Sequence, residues 1–592
     1  MKKIITSLAS LMFIAGLASG QTVSDALTFG SDNFYGTART LGMGNAVTAI
    51  GGDLGTISFN PAGGSVSAFS QFEFSTGWTT SSSISSYAPS YDSATQGAPN
   101  YTGGFDNSKT RMTIPNIGMN LCFETGNRSG ILSWNFAFVL NRSQTYTQML
   151  SASGLENHTS MTGALATFAT GMPGTILGNS NKYDTDYAWN SIVAYDGGLI
   201  NYNNDAGTYY GSAETVTKTG TDYNYEMLGV LKQNIGVTRT GSKNDVVMNY
   251  GVNIDNRLFL GASINMPIAG YKYSEYYSET AQDPADFPVT AGYYSKDDNG
   301  AITYKQGTPT QYVGSTYKYG YVADVSGINA QIGFIWLPTS GVRIGASIKT
   351  PTAYTISEQW YVDVESEFKD ASQNLDASTP TAETSYNFRS PYTANFGLAY
   401  TLGRAGLISV DYEITDYSVM KFSQEYVDAS FTYEDPFYRV NRLNKLFCGV
   451  QQNLRLGAEF RLLPSFSLRA GFNWSSSPER HYTDNEGYVI YAADYDRWFE
   501  DYESGKYKLM DGSATYSSDK IFSYSFGAGY SSPGSFYADI AFRRICLHES
   551  YYSPYSNYLS HTVGGTTYDI VSPSVKSALS QFDAVLTLGW RF

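Results

Sequence analysis

Charge is scarce in this chain: Asp, Glu, Lys and Arg make up 15% of its 592 residues, against about 25% in ordinary soluble proteins. Basic residues are the scarcer kind, 38 against 53 acidic, for a formal charge of −15. A nucleic-acid binder shows the opposite, a basic footprint. Cysteine occurs three times, at Cys122, Cys448 and Cys546. These are odd in number and widely spaced, and no CxxC pair or His/Cys cluster suggests a metal. They read as small packing residues. Past the N-terminus no run reaches the roughly 18 consecutive apolar residues of a membrane helix. The mean hydropathy of −0.26 is too polar for a bundle of such helices.

Aromatic residues and glycine are abundant. Tyr contributes 50, Phe 32 and Trp 8, 15% of the chain, beside 58 Gly. Length alone suggests about four soluble domains, which the shortage of charge contradicts. A transmembrane β-barrel fits all these figures, because its lipid-facing residues alternate with polar ones and its average hydropathy looks soluble.

The N-terminus sets the compartment. Lys2 and Lys3 precede an apolar run from Ile4 to Leu17, and Ala18-Ser19-Gly20 places small residues at a cleavage site. Residues 1–20 therefore read as a secretory signal peptide, cut before Gln21. Gln rather than Cys at position 21 argues against a lipoprotein anchor.

Strand periodicity dominates the rest. Large apolar groups fall on every second residue in Trp134/Phe136/Phe138/Leu140, in Met248/Tyr250/Val252/Ile254 and in Leu258/Leu260/Ala262/Ile264/Met266. The same holds for Ile328–Trp336 with Val342–Ile348, Phe396–Tyr400 with Ile408–Ile414, Leu454–Leu462 with Leu468–Trp474, and Phe522–Tyr530 with Phe536–Phe542. Period two means one apolar face and one polar face. With Phe72–Trp78, Ile117–Phe123 and the final strand, the count is about fourteen, even as bacterial barrels require. Short connections rich in Gly, Pro, Asn, Asp and Ser alternate with long ones near 81–109, 145–244, 273–319, 361–389, 421–446, 476–518 and 549–578. All long loops then lie on one side, the extracellular side of an outer-membrane barrel, with the short turns periplasmic. The largest, 145–244, is about a hundred residues. The last strand keeps its period to the end through Trp590 and Phe592, which resembles the C-terminal signal read by barrel-assembly machinery. The fold expected is all-β: a transmembrane antiparallel β-barrel over 70–592, preceded by a small element over 21–69.

That element carries Gly51-Gly52-Asp53-Leu54-Gly55 and Asn60-Pro61-Ala62, with short helical possibilities near Ala38–Ile50. It resembles the N-terminal hatch of the FadL/TodX-type outer-membrane transport proteins, whose signature is Asn-Pro-Ala just before the first strand. Further resemblances follow in order: Ile114-Pro115-Asn116-Ile117-Gly118, Asp411–Ser418 with Tyr417 in place of the usual Trp, and Arg455–Ala458 with Leu468–Phe472 and Ser477-Pro478. The family's barrels are also fourteen-stranded.

This resemblance implies an outer-membrane transporter of a Gram-negative bacterium that takes up hydrophobic small molecules such as long-chain fatty acids or aromatic compounds. In that family, outer loops catch the ligand, which passes to a pocket against the hatch and leaves sideways through the barrel wall. Asn60, Pro61 and Ala62 would gate near that opening. Leu155, Met161, Leu165, Phe168 and Met172 recur near helical spacing and could form a surface helix that captures ligand, or simply pack within a large loop. The expected partners are a hydrophobic ligand, outer-membrane lipid and the barrel-assembly machinery. No cofactor, metal or nucleic acid is expected, and the chain is expected to be a monomer.

An internal echo links Gly261-Ala-Ser-Ile-Asn-Met-Pro267 with Gly345-Ala-Ser-Ile-Lys-Thr-Pro351, most simply a repeated strand solution. Rival functions are a haem receptor using His158, His481, His548 and His561, all in expected outer loops, and a protein-binding surface or secretion-partner barrel using its Tyr-rich loops. An enzyme needs a nucleophile joined to an oriented base, and no local signature supplies one.

Overall fold

The computed structural model describes residues 21–592 except 186, 220–221, 297–300, 426–434, 484–488, 498, 507, 509–513, 518 and 564–565. The expected signal peptide, 1–20, lies outside the described residues.

Fourteen antiparallel strands form one wall. They are β1 (Gln71–Ala88), β2 (Thr102–Glu124), β3 (Ile131–Thr145, continued by Gln148–Glu156), β4 (Leu231–Ile254) and β5 (Leu258–Ala281). Then come β6 (Ile302–Trp336), β7 (Val342–Lys349 and Ala353–Phe368), β8 (Ala382–Arg389 and Thr393–Thr401), β9 (Gly406–Asp416 and Lys421–Gln424) and β10 (Val450–Leu463). Last are β11 (Phe466–Ser476), β12 (Lys520–Ser531), β13 (Phe536–Tyr552) and β14 (Ser574–Arg591). Each pairs with its sequence neighbours, and β1 pairs with β14 from Gln71↔Arg591 to Ala88↔Ser574. The sheet is thereby closed, which removes the edges that an open sheet would leave unpaired.

Alternation decides which residues face out. Trp78, Phe138, Ile264, Ile332 and Phe526 are all about half exposed on the outer surface, while their neighbours in sequence point inward and are covered. Phe72, Trp134, Trp336, Tyr400, Tyr530 and Trp590 ring the short-turn end, the position of an interfacial aromatic girdle. The turn at Asp255-Asn256 takes φ of 53° and 54°, the left-handed conformation that two-residue hairpins favour.

The loops are shorter than the sequence suggests. Strand continues through Ala88 and resumes at Thr102, inside the expected 81–109 loop. The expected 145–244 loop loses both ends, to the continuation of β3 as far as Glu156 and to β4 from Leu231. β5 likewise runs on to Ala281, and β7 to Phe368. The reason is a change of face. Beyond the apolar band the outward residues become polar, and the large side chains point inward, as in Tyr271, Tyr273 and Tyr277 of β5. Alternation persists there with its sense reversed.

Residues 21–66 lie inside the barrel. α1 (Val23–Gly30) sits toward the long-loop end and α2 (Ala38–Gly42) toward the short-turn end. The helical possibility over 38–50 thus shrinks to five residues; Gly44 and Asn45, both with positive φ, end it. Two 3-10 turns follow, Leu54–Ser58 and Pro61–Val66.

Candidate functional site

The lower part of the N-terminal segment touches the wall backbone to backbone. A Cβ on Gly261 would run into Pro61 and Ala62, and one on Gly471 into Met43 and Gly44. In the register Gly251↔Gly261↔Gly333 and Gly345↔Gly397 the wall presents glycine to glycine. The echoed Gly261 and Gly345 both belong to this seat, Gly345 facing Thr48 and Ala49. The repeat is thus the same strand solution used twice to let a backbone approach closely.

Asn60 is fully buried. Its Nδ2 donates to Thr48 O at 2.8 Å and to Phe334 O of β6 at 2.9 Å, and its Oδ1 accepts from Ala62 N at 3.0 Å. Pro61 opens the second 3-10 turn, where a missing N–H costs nothing, and its carbonyl accepts from Asn249 of β4. The triplet therefore packs against β4, β5 and β6.

Ions gather at the same level. Arg39 and Arg469 share Glu459 at 3.0 and 2.8 Å, and Arg469 reaches Asp539 at 2.5 Å. Burial pushes the carboxyl of Asp53 above its ordinary range, opposed by Arg39. A polar cavity of about 270 Å³ opens among Arg39, Asp53, Glu73, Glu459, Arg469 and Asp539, and reaches the short turn at Pro464-Ser465.

The wall itself parts between β2 and β3. Their ladder runs from Glu124↔Ser133 to Asn116↔Asn141 and goes no further. β2 continues upward paired with β1 alone on this side of the barrel. β3 bends at Tyr146-Thr147, and its continuation pairs with β4 while crossing the inner face of β1 and β2. There Met149 O accepts from Ser83 Oγ, and Ser151 bonds Asn107. Met112 and Ile114, on β2 just past the last pair, are outward and exposed, so the parting lies within the apolar band.

From inside, the N-terminal segment covers the parting. Asn33 N–H donates to Ser143 O at 2.7 Å and Tyr35 N–H to Arg142 O at 3.0 Å. Carbonyls of β3 that have lost β2 as a partner are satisfied by this chain instead, as buried backbone groups must be. Asn141 also reaches Ser58 at 2.6 Å. The residues beside the parting are thus Asn33, Tyr35 and Ser58, whereas Asn60-Pro61-Ala62 stands at another sector of the wall. No local motif marks the first set, because each contact joins positions more than eighty residues apart.

Above this level the lumen is filled. Phe29 of α1 meets Tyr271 edge-on at 5.9 Å, in a buried cluster with Tyr319, Tyr321, Tyr354 and Tyr386. Buried carboxylates are satisfied by tyrosine: Glu358 accepts from Tyr321 at 2.7 Å, Tyr386 at 2.8 Å and Gln21 at 2.8 Å. Asp25 closes a capping box with Thr22, and burial pushes its pKa up to about 7.

The proposed capture residues do not share one helix. Leu155 lies on the continuation of β3, and α3 covers only Met161–Phe168. Met161, Leu165 and Met172 are buried in the lumenal cluster, while Leu155 and Phe168 are exposed. Glu279 of β5 holds the start of α3, accepting from Ser160 Oγ at 2.5 Å and Met161 N at 2.9 Å, which anchors the segment to the wall. Within it, burial pushes Glu214 up to about 8. Trp590 faces out between Phe72 and Phe536, and Phe592 N bonds Ser70 O beside the seam.

His158 is exposed and His481 half-buried; the side chains of His548 and His561 lie outside the described residues. Among the described residues no group of three His, Cys, Asp or Glu is placed to hold a metal.

These features define a class: a fourteen-stranded transmembrane barrel whose N-terminal segment fills the lumen and backs a parting in the wall. No family model matches the chain, and no curated protein matches it. Among solved structures, it is similar to a Pseudomonas aeruginosa FadL homologue, with 11% identity and a TM-score of 0.43 over 95% of this chain and 99% of that one. It is also similar to the P. putida toluene transporter TodX, with 12% identity and a TM-score of 0.42 over 94% and 98%. For the Ralstonia pickettii toluene transporter TbuX the figures are 13% and 0.39 over 94% and 98%.

Proposed function

We propose that this protein is a transporter in the outer membrane of a Gram-negative bacterium, taking up hydrophobic small molecules such as fatty acids or other lipophilic compounds. The observation that carries the reading is the parting between β2 and β3 inside the apolar band, backed by Asn33 and Tyr35. An apolar solute gains free energy by leaving water for hydrocarbon, so a sideways exit at this height delivers it where it is most stable. The floor of the lumen is charged and its cavity is polar, so it offers an apolar solute no comparable path. The outer lid around α3 would admit ligand, the N-terminal segment would act as a movable plug, and the parting would release it. The order of motifs in the sequence supports the same reading.

The test is a crosslink. Asn33→Cys and Ser143→Cys, in a chain whose native cysteines are replaced, are joined by oxidation or by a short thiol crosslinker. Uptake of a labelled long-chain fatty acid or alkane by cells expressing the barrel should fall to background when the pair is joined and return on reduction. Uptake that is indifferent to the crosslink would remove the lateral route.

A further inference from the structure

Two cations face each other on the outer surface of the wall. The ladder between β8 and β9 stops at Thr393↔Thr415 and restarts above a break at Arg389↔Lys421. Both of these side chains point outward and are exposed, because their neighbours Phe388 and Phe422 point inward and meet with ring centroids 4.9 Å apart. Residues directly opposite in an antiparallel pair have Cβ atoms about 5 Å apart, and like charges there repel. A third cation stands beside them. Helix α4 (Tyr438–Phe447) flanks the edge of β9, where Asn441 Nδ2 donates to Phe422 O at 2.9 Å and Asn441 Oδ1 accepts from Phe422 N at 2.8 Å. Lys445, one turn further along the same side of α4, is exposed too.

No carboxylate answers this group. Among the described residues, none of the three cations lies within salt-bridge distance of Asp or Glu, whereas Lys318 of β6 pairs with Glu365 at 2.7 Å and Lys576 of β14 with Glu549 at 2.7 Å. Asp416, below on β9, is engaged by Ser418 N at 3.0 Å and Ser418 Oγ at 2.7 Å. Glu425 stands beyond the upper end of β9. Height completes the placement. Tyr392, Phe396, Leu398 and Tyr400 are the outward apolar residues of β8 below Arg389. At about 3.3 Å per residue and about 40° of tilt, the stretch from Tyr400 to Arg389 rises about 28 Å, against about 25 Å for an apolar band. The unpaired charges therefore stand just above the hydrocarbon, level with lipid headgroups.

We propose that Arg389, Lys421 and Lys445 form a site for the phosphate of an anionic lipid in the outer leaflet, whose acyl chains lie against Tyr392 and Phe396 in the band below. The planar fork of Arg suits phosphate, and each ammonium adds a point charge. An anion bound here removes the repulsion across the Arg389↔Lys421 pair and so ties β8 to β9 where their ladder is broken. The site is on the outside of the barrel, so its occupant is a structural lipid and not cargo, and the inference stands apart from the transport reading. A free phosphate gains the charge contacts alone, whereas a lipid adds apolar contact and is already confined to the leaflet. An acidic protein segment would have to reach the edge of the hydrocarbon, beneath the outer loops.

The experiment uses the full-length barrel in an uncharged maltoside detergent, with dioleoyl phosphatidate, dioleoylglycerol, inorganic phosphate and hexaglutamate as probes. Native mass spectrometry should show one phosphatidate bound at least about tenfold tighter than dioleoylglycerol, with neither soluble probe displacing it at equal concentration. Arg389→Gln and Lys421→Gln should each weaken phosphatidate about fivefold and leave dioleoylglycerol unchanged. Lys318→Gln, whose cation already has a carboxylate, should change neither. Without lipid, the Arg389 and Lys421 variants should unfold at a temperature no lower than wild type, because the repulsion has gone. Phosphatidate should then raise that temperature less for them than for wild type. Phosphatidate held equally by wild type and the double variant would overturn the inference. Inorganic phosphate bound as tightly as phosphatidate would make this a simple anion site, and displacement by hexaglutamate would make it a protein-docking site; either result removes the lipid.

Discussion

The two halves of the N-terminal segment are held in different ways. Residues 37–66 meet the wall through backbone contact at inward glycines and through amide side chains such as Asn60, Asn120 and Asn249. Residues 21–32 meet it mainly through side chains, Gln21 on Glu358, Asp32 on Lys243 and Lys349, Phe29 among tyrosines, and only Asn33 and Tyr35 add backbone hydrogen bonds, to β3. Backbone contact depends on the shape of both surfaces and cannot be exchanged for a ligand. Ionic and aromatic contacts can, because a ligand can offer the same groups. The lower half is suited to be a fixed floor and the upper half a movable plug, within one continuous stretch of chain.

Substituting the glycine seat should break the floor most severely. Gly261→Val drives its side chain into Pro61 and Ala62, and with backbone as the obstacle the cost should reach at least about 3 kcal/mol. The expected result is loss of the heat-modifiable folded barrel, or a folded barrel newly permeable to large antibiotics. Gly104→Val on upper β2, where a Cβ meets nothing within 4 Å, should behave as wild type. A harmless Gly261→Val would mean that the floor is no more fixed than the plug.

Asn60→Ala comes next. It strips three hydrogen bonds and leaves the carbonyls of Thr48 and Phe334 without this donor, for about 2 to 3 kcal/mol. Thr22→Ala, which removes the cap of α1 in the upper half, should cost about 1 kcal/mol and leave the barrel's denaturation midpoint almost unmoved. Parallel urea titrations of the two variants compare the halves directly. Equal losses would erase the distinction.

The sequence exposed the floor and the wall better than it exposed the plug. Period two in Leu258–Met266 and its counterparts reads correctly because lipid demands apolar groups on one face, a constraint that acts residue by residue. The upper strands read as loops because inward Tyr and outward polar residues reverse the pattern. Tyr271, Tyr273, Glu275, Tyr277 and Glu279 nonetheless alternate visibly, with carboxylates among the tyrosines that satisfy them. The echoed Gly261 and Gly345 showed a repeated solution without showing what it seats. The parting of β2 and β3, the cover by Asn33 and Tyr35, and the convergence of Lys243 and Lys349 on Asp32 are long-range pairings. No spacing along the chain encodes them.

A pH dependence should be confined to the plug. Burial raises Asp25 from 3.8 to about 7, with Glu358 adding repulsion and Arg239 opposing it. Once α1 leaves the lumen the carboxyl returns toward its ordinary value, so between these limits the docked state binds more protons than the undocked one. Docking must then weaken as pH rises through that window, and level off above it. Asp32 runs the other way, since its lysines hold its carboxyl below the ordinary range. It stays ionised in both states near neutrality and adds no slope there. Hydrogen exchange of α1, corrected for intrinsic rates, should therefore quicken by about tenfold from pH 6 to pH 8. The amides of residues 61–66, a turn capped by the neutral Asn60, should show no such trend. Asp25→Asn, which can keep the bond from Thr22 N, should flatten the profile for α1. A slope shared by both halves would place its origin in the barrel as a whole and dissolve the division between floor and plug.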